Sequence, residues 1–193
     1  MQVNYLLLLL IAFQHCNVLE TAKRRLINIE ITNYTFTNYT ADHVKSLELN
    51  FTKLAPNRYG LNMNFELYRQ LPRNTEVRIL TIVQPKKAVK PMTFFDMRWN
   101  LCEALSNFKA LPFLIDLYKE IKRTFNVRLV CPLKGNFRYR ITNFMVTNEM
   151  LPSFTPELSF SHSLELYEDQ NIFAKTVTLG YTWHNSTKVS KSG

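Results

Sequence analysis

The chain has 193 residues, 46 % of them hydrophobic, with 14 phenylalanines, 9 tyrosines and 4 glycines, and its 24 lysines and arginines against 15 acidic residues give a formal charge of +9. That length accommodates one domain with a real core, and the apolar share excludes a disordered chain. The positive charge falls in short groups (Lys23-Arg24-Arg25, Lys86-Lys87 with Lys90, Lys119 with Lys122-Arg123, Arg138 with Arg140) without the interleaved aromatic platforms of a nucleic-acid face, so nucleic acid is not an expected partner.

Tyr5 to Phe13 is a continuous apolar or aromatic run. It is shorter than the roughly 20 residues that cross a bilayer but has the length of a signal-peptide core. Residues 1–20 therefore read as a leader, cut after Cys16 or a few residues later, and the protein as secreted and extracellular. Residues 21–183 read as one domain with no membrane span. Residues 184–193 form a polar tail, read as disordered. With Cys16 removed, Cys102 and Cys131 are the remaining cysteines and are expected to pair.

Strict alternation of apolar and polar residues marks half-buried strands at Leu47–Phe51 and Leu61–Leu67, joined by the turn residues Ala55-Pro56-Asn57-Arg58 into a hairpin. Val77–Val83 is more evenly apolar, as a central strand would be, and Pro91 confines the next strand to an edge. Later alternations occur at Phe137–Ile141, with aromatics on one side and arginines on the other, and at Leu158–Leu166. Glu168-Asp169-Gln170-Asn171 is a turn, and Val177–Tyr181 the last strand.

Four Asn-x-Ser/Thr sequons begin at Asn33, Asn38, Asn50 and Asn185. Asn50 is out of phase with Leu47, Leu49 and Phe51 and so points to solvent. Asn33 and Asn38 are five residues apart, so a continuous strand turns one of them inward. Either the strand breaks between them or one of the two carries a glycan. Asn185 lies in the polar tail.

Between the cysteines the period changes to that of a helix. Asp96 is placed to cap a short first piece bearing Leu101, Leu105 and Phe108, and Pro112 to open a longer one whose apolar face is Leu111, Leu114, Ile115, Tyr118, Ile121 and Phe125. The expected fold is mainly β, an antiparallel two-sheet sandwich or cup of immunoglobulin-like build with a helical insertion near residues 97–125.

Catalytic chemistry is not legible. His43, His162 and His184 have no second ligand at metal spacing, and nucleophile-elbow, phosphate-loop and dinucleotide patterns are absent, so neither an enzyme nor a metal or other cofactor is expected. Ser161-His162-Ser163 is no nucleophile pair, because adjacent strand residues face opposite ways. His162 reads as a solvent-exposed or core-edge residue.

Asp96-Met-Arg-Trp-Asn-Leu-Cys102-Glu-Ala-Leu, a helical spacer and Cys131-Pro-Leu-Lys-Gly135-Asn-Phe-Arg-Tyr139 resemble a family of small secreted insect proteins catalogued as a domain of unknown function. That family is similar to the chemosensory CheB proteins and, more distantly, to the ganglioside activator protein and ML-type lipid-recognition domains. The resemblance covers about residues 60–182 and implies a sandwich with an apolar cavity and a role in chemosensation or lipid presentation. The inward phase of the strands, Leu49, Phe51, Met63, Phe65, Phe137, Tyr139 and Ile141, with Leu114 and Tyr118 from the helix, lines such a cavity or fills a solid core. The expected function is thus a carrier or presenter of a small apolar ligand: a lipid, a hydrocarbon or a pheromone-like molecule. The alternative is an interaction module with a solid core whose basic surface or exposed edge strand meets an extracellular receptor or anionic lipid headgroups.

Overall fold

Among the described residues the alternating stretches become eight strands: β1 (Ile27–Asn38), β2 (Val44–Ala55), β3 (Arg58–Leu67), β4 (Glu76–Pro85), β5 (Met92–Asn100), β6 (Arg138–Thr147), β7 (Leu158–Glu168) and β8 (Asn171–His184). The structure is a computed structural model that describes residues 27–40, 42–107, 115–151 and 155–184. The proposed leader, Leu114 and Asn185 lie outside the described residues. Every pairing is antiparallel, and the strands form a five-stranded sheet in the order β1-β8-β7-β4-β5 and a three-stranded sheet in the order β2-β3-β6. The result is the expected two-sheet β-sandwich.

Turn chemistry closes the hairpins. Asn57 adopts φ 61° between β2 and β3, and Asp169 and Gln170 adopt φ 47° and 68° between β7 and β8. Two consecutive left-handed residues match the twist of the flanking strands. Val77–Val83 does lie inside its sheet, and β5, after Pro91, is an edge. β1 is continuous through both of its sequons, with a register shift between Ile31 and Asn33, and both asparagines are exposed. Asn38 escapes the inward phase of Phe36 because it is the last residue of the strand. Its Nδ2 donates to the Val44 carbonyl at 3.3 Å. Asn50 is exposed, as parity requires.

The helical excursion begins later than expected. Residues 97–100 belong to β5, and the helices are α1 (Leu101–Asn107) and α2 (Ile115–Thr124). Asp96 does not cap α1; its carboxylate is taken by Arg78 on β4, with two bonds of 2.7 Å. The cap is Asn100, whose Oδ1 accepts the N–H groups of Cys102 and Glu103 at 2.9 and 3.1 Å. His184, assigned to the tail from sequence, instead ends β8 opposite Ile27.

α2 runs along the free edge of β6. Glu120 Oε1 accepts the Met145 N–H at 2.8 Å, Arg123 Nη2 donates to the Asn143 carbonyl at 2.9 Å, and Asn126 exchanges two bonds of 2.9 Å with the Arg140 backbone. These contacts occupy polar groups that an open strand edge would present to other chains.

Cys102 and Cys131 are joined in a disulfide with Cα atoms 5.3 Å apart. The segment after Cys131, which begins with a cis Cys131–Pro132 peptide, lies against the β3–β4 connection. The Leu71 N–H donates to the Leu133 carbonyl at 3.0 Å, and the Asn136 N–H to the Leu67 carbonyl at 2.7 Å. Backbone is here packed on backbone: a Cβ on Gly135 would sit 2.4 Å from the Arg69 carbonyl carbon. Gly135→Ala is therefore expected to destabilise the protein by about 1–3 kcal/mol, the usual range for overpacking. Urea unfolding at constant m-value checks it, and an unchanged midpoint would show that the two segments separate without penalty.

Candidate ligand site between the sheets

Register places the apolar phase of the small sheet in rows across three strands. Leu49, Met63 and Ile141 form one row, and Leu47, Phe65 and Tyr139 the next. On the large sheet Leu164 and Leu166 pack toward the core, which fixes the inner phase of β7 as Phe160, His162, Leu164 and Leu166. The rows on that face run Met97–Ile79–Leu164–Thr176–Phe36 and Phe95–Thr81–His162–Thr178–Tyr34.

The two ends of this sandwich are closed. One end is a packed floor of Val44, Leu67, Leu71, Val77, Leu101, Leu133, Tyr139, Phe173 and Ala174. At the other end the β2–β3 turn is bonded to β1: Asn57 Oδ1 accepts the Ile29 N–H at 2.8 Å, and Asn57 Nδ2 donates to Asn28 Oδ1 at 2.7 Å. Ile27, Ile29, Tyr59 and Phe144 are buried there.

The middle rows differ from both ends. Tyr34, Leu49, Met63, Ile79, Phe95, Leu164 and Thr178 face inward yet are only half-buried, and Met97, toward the β5 edge, is 38 % exposed. Protein interiors are close-packed, so an inner-facing side chain that solvent reaches has open space beside it. His162 marks this most clearly. Its ring is solvent-accessible, yet desolvation by the surrounding protein holds its pKa below the ordinary histidine value.

The expected lining residues divide. Leu49, Phe51, Met63 and Phe65 share the inner face and are half-buried. Tyr139 and Ile141 share that face but are fully buried. Tyr139 stacks on Phe65 at 4.7 Å, receives the Lys134 N–H on its hydroxyl at 2.8 Å and belongs to the floor rather than the walls. Phe137 precedes β6 and packs edge-on against Tyr139 at 4.8 Å. Tyr118 is half-buried on α2. Sequence reading did not assign the inner face of the large sheet, while His162, read as solvent-exposed or core-edge, is exposed in the inner phase of β7. The signal was the alternation of Leu158–Leu166, which sets His162 in phase with Phe160 and Leu164.

Two shallow depressions are present, and the first shares Tyr34 and Phe51 with the inner faces of the sheets. One of about 240 Å³, between β1 and the β2–β3 hairpin, is lined by Tyr34, Phe51, Lys53 and Tyr59. Another of about 380 Å³, mainly on the outside of the large sheet, is lined by Ile82, Ser161, Leu179 and Tyr181 among others, and by none of the residues expected to line a cavity.

Residues 77–161 match the family described as a protein of unknown function (DUF1091). The DUF1091 match runs from β4 to the start of β7, so it contains the disulfide, both helices and the Cys-Pro-x-x-Gly segment. It is narrower than the span of about 60–182 expected from the resemblance. Comparison with curated proteins gives no match.

A second polar cluster lies at the floor. His43 is buried and stacked on Phe173 with centroids 4.3 Å apart. Its Nδ1 is 2.8 Å from Asp42 and 2.7 Å from Thr40 Oγ1, and its Nε2 is 2.6 Å from Glu168 and 2.9 Å from Arg69. Burial pushes the Glu168 pKa up, but hydrogen bonds from Arg69 and His43 outweigh it and hold the carboxyl below its ordinary value. The two carboxylates approach opposite ring nitrogens and do not converge on a common point. The cluster ties the start of β2 to the β7–β8 turn, one link between the two sheets. No helix among the described residues is long and apolar enough to cross a membrane.

Proposed function

We propose that this protein is a secreted, non-catalytic carrier or presenter of a small apolar molecule held between the two sheets. The observation that carries the reading is the middle of the sandwich, where the inner-facing apolar side chains Leu49, Met63, Ile79 and Leu164 remain only half-buried. Apolar concavities with few polar groups are the common form of small-ligand sites. The resemblance to chemosensory and ML-type lipid-recognition proteins supports the same reading, as do the exposed sequons at Asn33, Asn38 and Asn50.

The second reading, an interaction module, is favoured by a different surface. On the β4–β5 connection Val89 is 91 % exposed between Lys87 and Lys90, and Phe94 on the β5 edge is 69 % exposed. An exposed apolar tip flanked by cations suits an anionic headgroup surface or an acidic receptor.

Uptake of an apolar fluorescent probe, N-phenyl-1-naphthylamine, tests the first reading. Wild type is expected to bind it, and Met63→Trp to abolish binding while shifting stability by less than about 1 kcal/mol, because the indole enters open space. A wild type that takes up no probe, with Met63→Trp about 1–3 kcal/mol less stable, would mean a solid core and leave the interaction module.

A further inference from the structure

The two sheets have four edge strands between them, β1 and β5 in one and β2 and β6 in the other. Glycans on the exposed Asn33 and Asn38 of β1 and Asn50 of β2 would obstruct two of these edges, and α2 covers β6. The fourth edge, β5, is bare. No strand, helix or loop among the described residues is hydrogen-bonded to its backbone on the side away from β4. Pro91 and the unpaired Phe94 break the start of this edge, but residues 95–100 pair with β4 without interruption. Such a run presents unpaired N–H and C=O groups to any strand that can match it. Its side chains are uncovered as well. Phe95 and Trp99 on the inner phase are half-buried, Met97 between them is 38 % exposed, and Asp96 and Arg98 on the outer phase are exposed.

We propose that the strand that matches this edge is β5 of a second copy of the chain, paired antiparallel about a two-fold axis at Met97, so that the two large sheets join into one. Charge decides the register. A two-fold axis normal to the sheet keeps both inner faces on the same side, and it must then pass where a residue faces its own copy. An axis at Asp96 or at Arg98 would set like charges directly opposite, which is destabilising. An axis at Phe95 would run the pairing into Phe94 and Pro91, and one at Trp99 would run it into α1. With the axis at Met97, Asp96 faces the partner's Arg98 and Phe95 faces the partner's Trp99. Opposite charges and aromatic pairs across strands both stabilise a sheet. Asp96 keeps its two bonds to Arg78, and Arg98 its bond to Glu76, so the new contacts extend a charge ladder already held in place. The same pairing covers Met97. The inference is independent of the carrier reading, because it concerns the outer edge of the large sheet and not the space between the sheets.

The test is sedimentation equilibrium on the full chain. Wild type is expected to form a dimer with a dissociation constant of roughly 1–100 μM, because one strand pair is a small interface. Met97→Lys sets two ammonium groups face to face at the axis and is expected to weaken dimerisation about tenfold or more. Its thermal midpoint is expected to stay that of wild type, because the side chain it replaces is partly exposed. Met97→Cys has the opposite sign. Residues facing each other across an antiparallel pair have Cα atoms about 4.5–5.5 Å apart, within disulfide reach, so mild oxidation is expected to add a covalent dimer that wild type does not give. Arg98→Cys is not expected to add one, since its two copies stand on a diagonal of about 7–8 Å. A wild type that stays monomeric up to about 100 μM, the weak end of that range, would overturn the proposal. So would a dimer that Met97→Lys leaves intact, which would mean that the copies meet elsewhere. Cross-linking of Arg98→Cys as readily as Met97→Cys would overturn the register and the charge argument behind it.

Discussion

Phe173→Ala is expected to lower the unfolding free energy by about 3–5 kcal/mol, the range for deleting a large aromatic side chain from a packed site. Phe173 is 1 % exposed and sits at the irregularity where β8 carries one residue more than β7 between the pairs Leu166–Ala174 and Tyr167–Ile172. That extra residue turns the ring into the floor, among Leu67, Leu71 and Val77. One face of the ring is covered by His43, at an interplanar angle of 17°. Its carbonyl accepts the Tyr39 N–H at 2.9 Å, so the backbone is held and cannot collapse easily into the void. Truncation removes dispersion contacts and the imidazole's stacking partner together. Urea titration gives the loss at constant m-value. Phe173→Leu is expected to recover a large part of it, because volume rather than aromaticity dominates. A loss under about 1 kcal/mol for the alanine variant would mean that the floor relaxes around the gap and is not a rigid layer.

Removing the disulfide is the second large effect. Cys102 and Cys131 are separated by 29 residues, and on a chain-entropy argument closing a loop of that size stabilises the fold by roughly 3–4 kcal/mol. The Cys102→Ser, Cys131→Ser double variant and the reduced wild type are both expected to show this loss in urea unfolding. α1 keeps its Asn100 cap, α2 keeps its bonds to β6, and the Leu133 and Asn136 contacts still hold the later segment, so the native fold is expected to survive in the absence of denaturant. An unfolding midpoint unchanged by reduction would mean that those contacts alone restrain the excursion in the unfolded ensemble as well. A covalent dimer under non-reducing conditions would contradict the intrachain bond.

Local pattern was legible in the sequence where the physics is local. Side-chain parity along a strand depends only on the backbone, so Leu49, Phe51, Met63 and Phe65 are found on one face, and Asn50 on the other, without knowledge of the neighbouring strands. The cysteine pairing followed from there being no third candidate once Cys16 was assigned to a leader. Helix onset was misread because Asp96 and Asn100 are both good caps in isolation, and the deciding partner of Asp96 is Arg78, 18 residues away on the adjacent strand. The sequence did carry the correct signal, Asn100 followed three residues later by Glu103.

Tertiary structure alone decided which inward residues are packed and which are left accessible. Tyr139 and Met63 have the same parity, yet Tyr139 is sealed in the floor while Met63 is only half-buried. Burial depends on what the opposite sheet brings, and no periodicity within one strand encodes that distance. His162 is the same case in reverse: its phase was readable from Phe160 and Leu164. Whether that phase led to a packed core or to solvent depended on what the opposite sheet brings against it, and His162 is exposed.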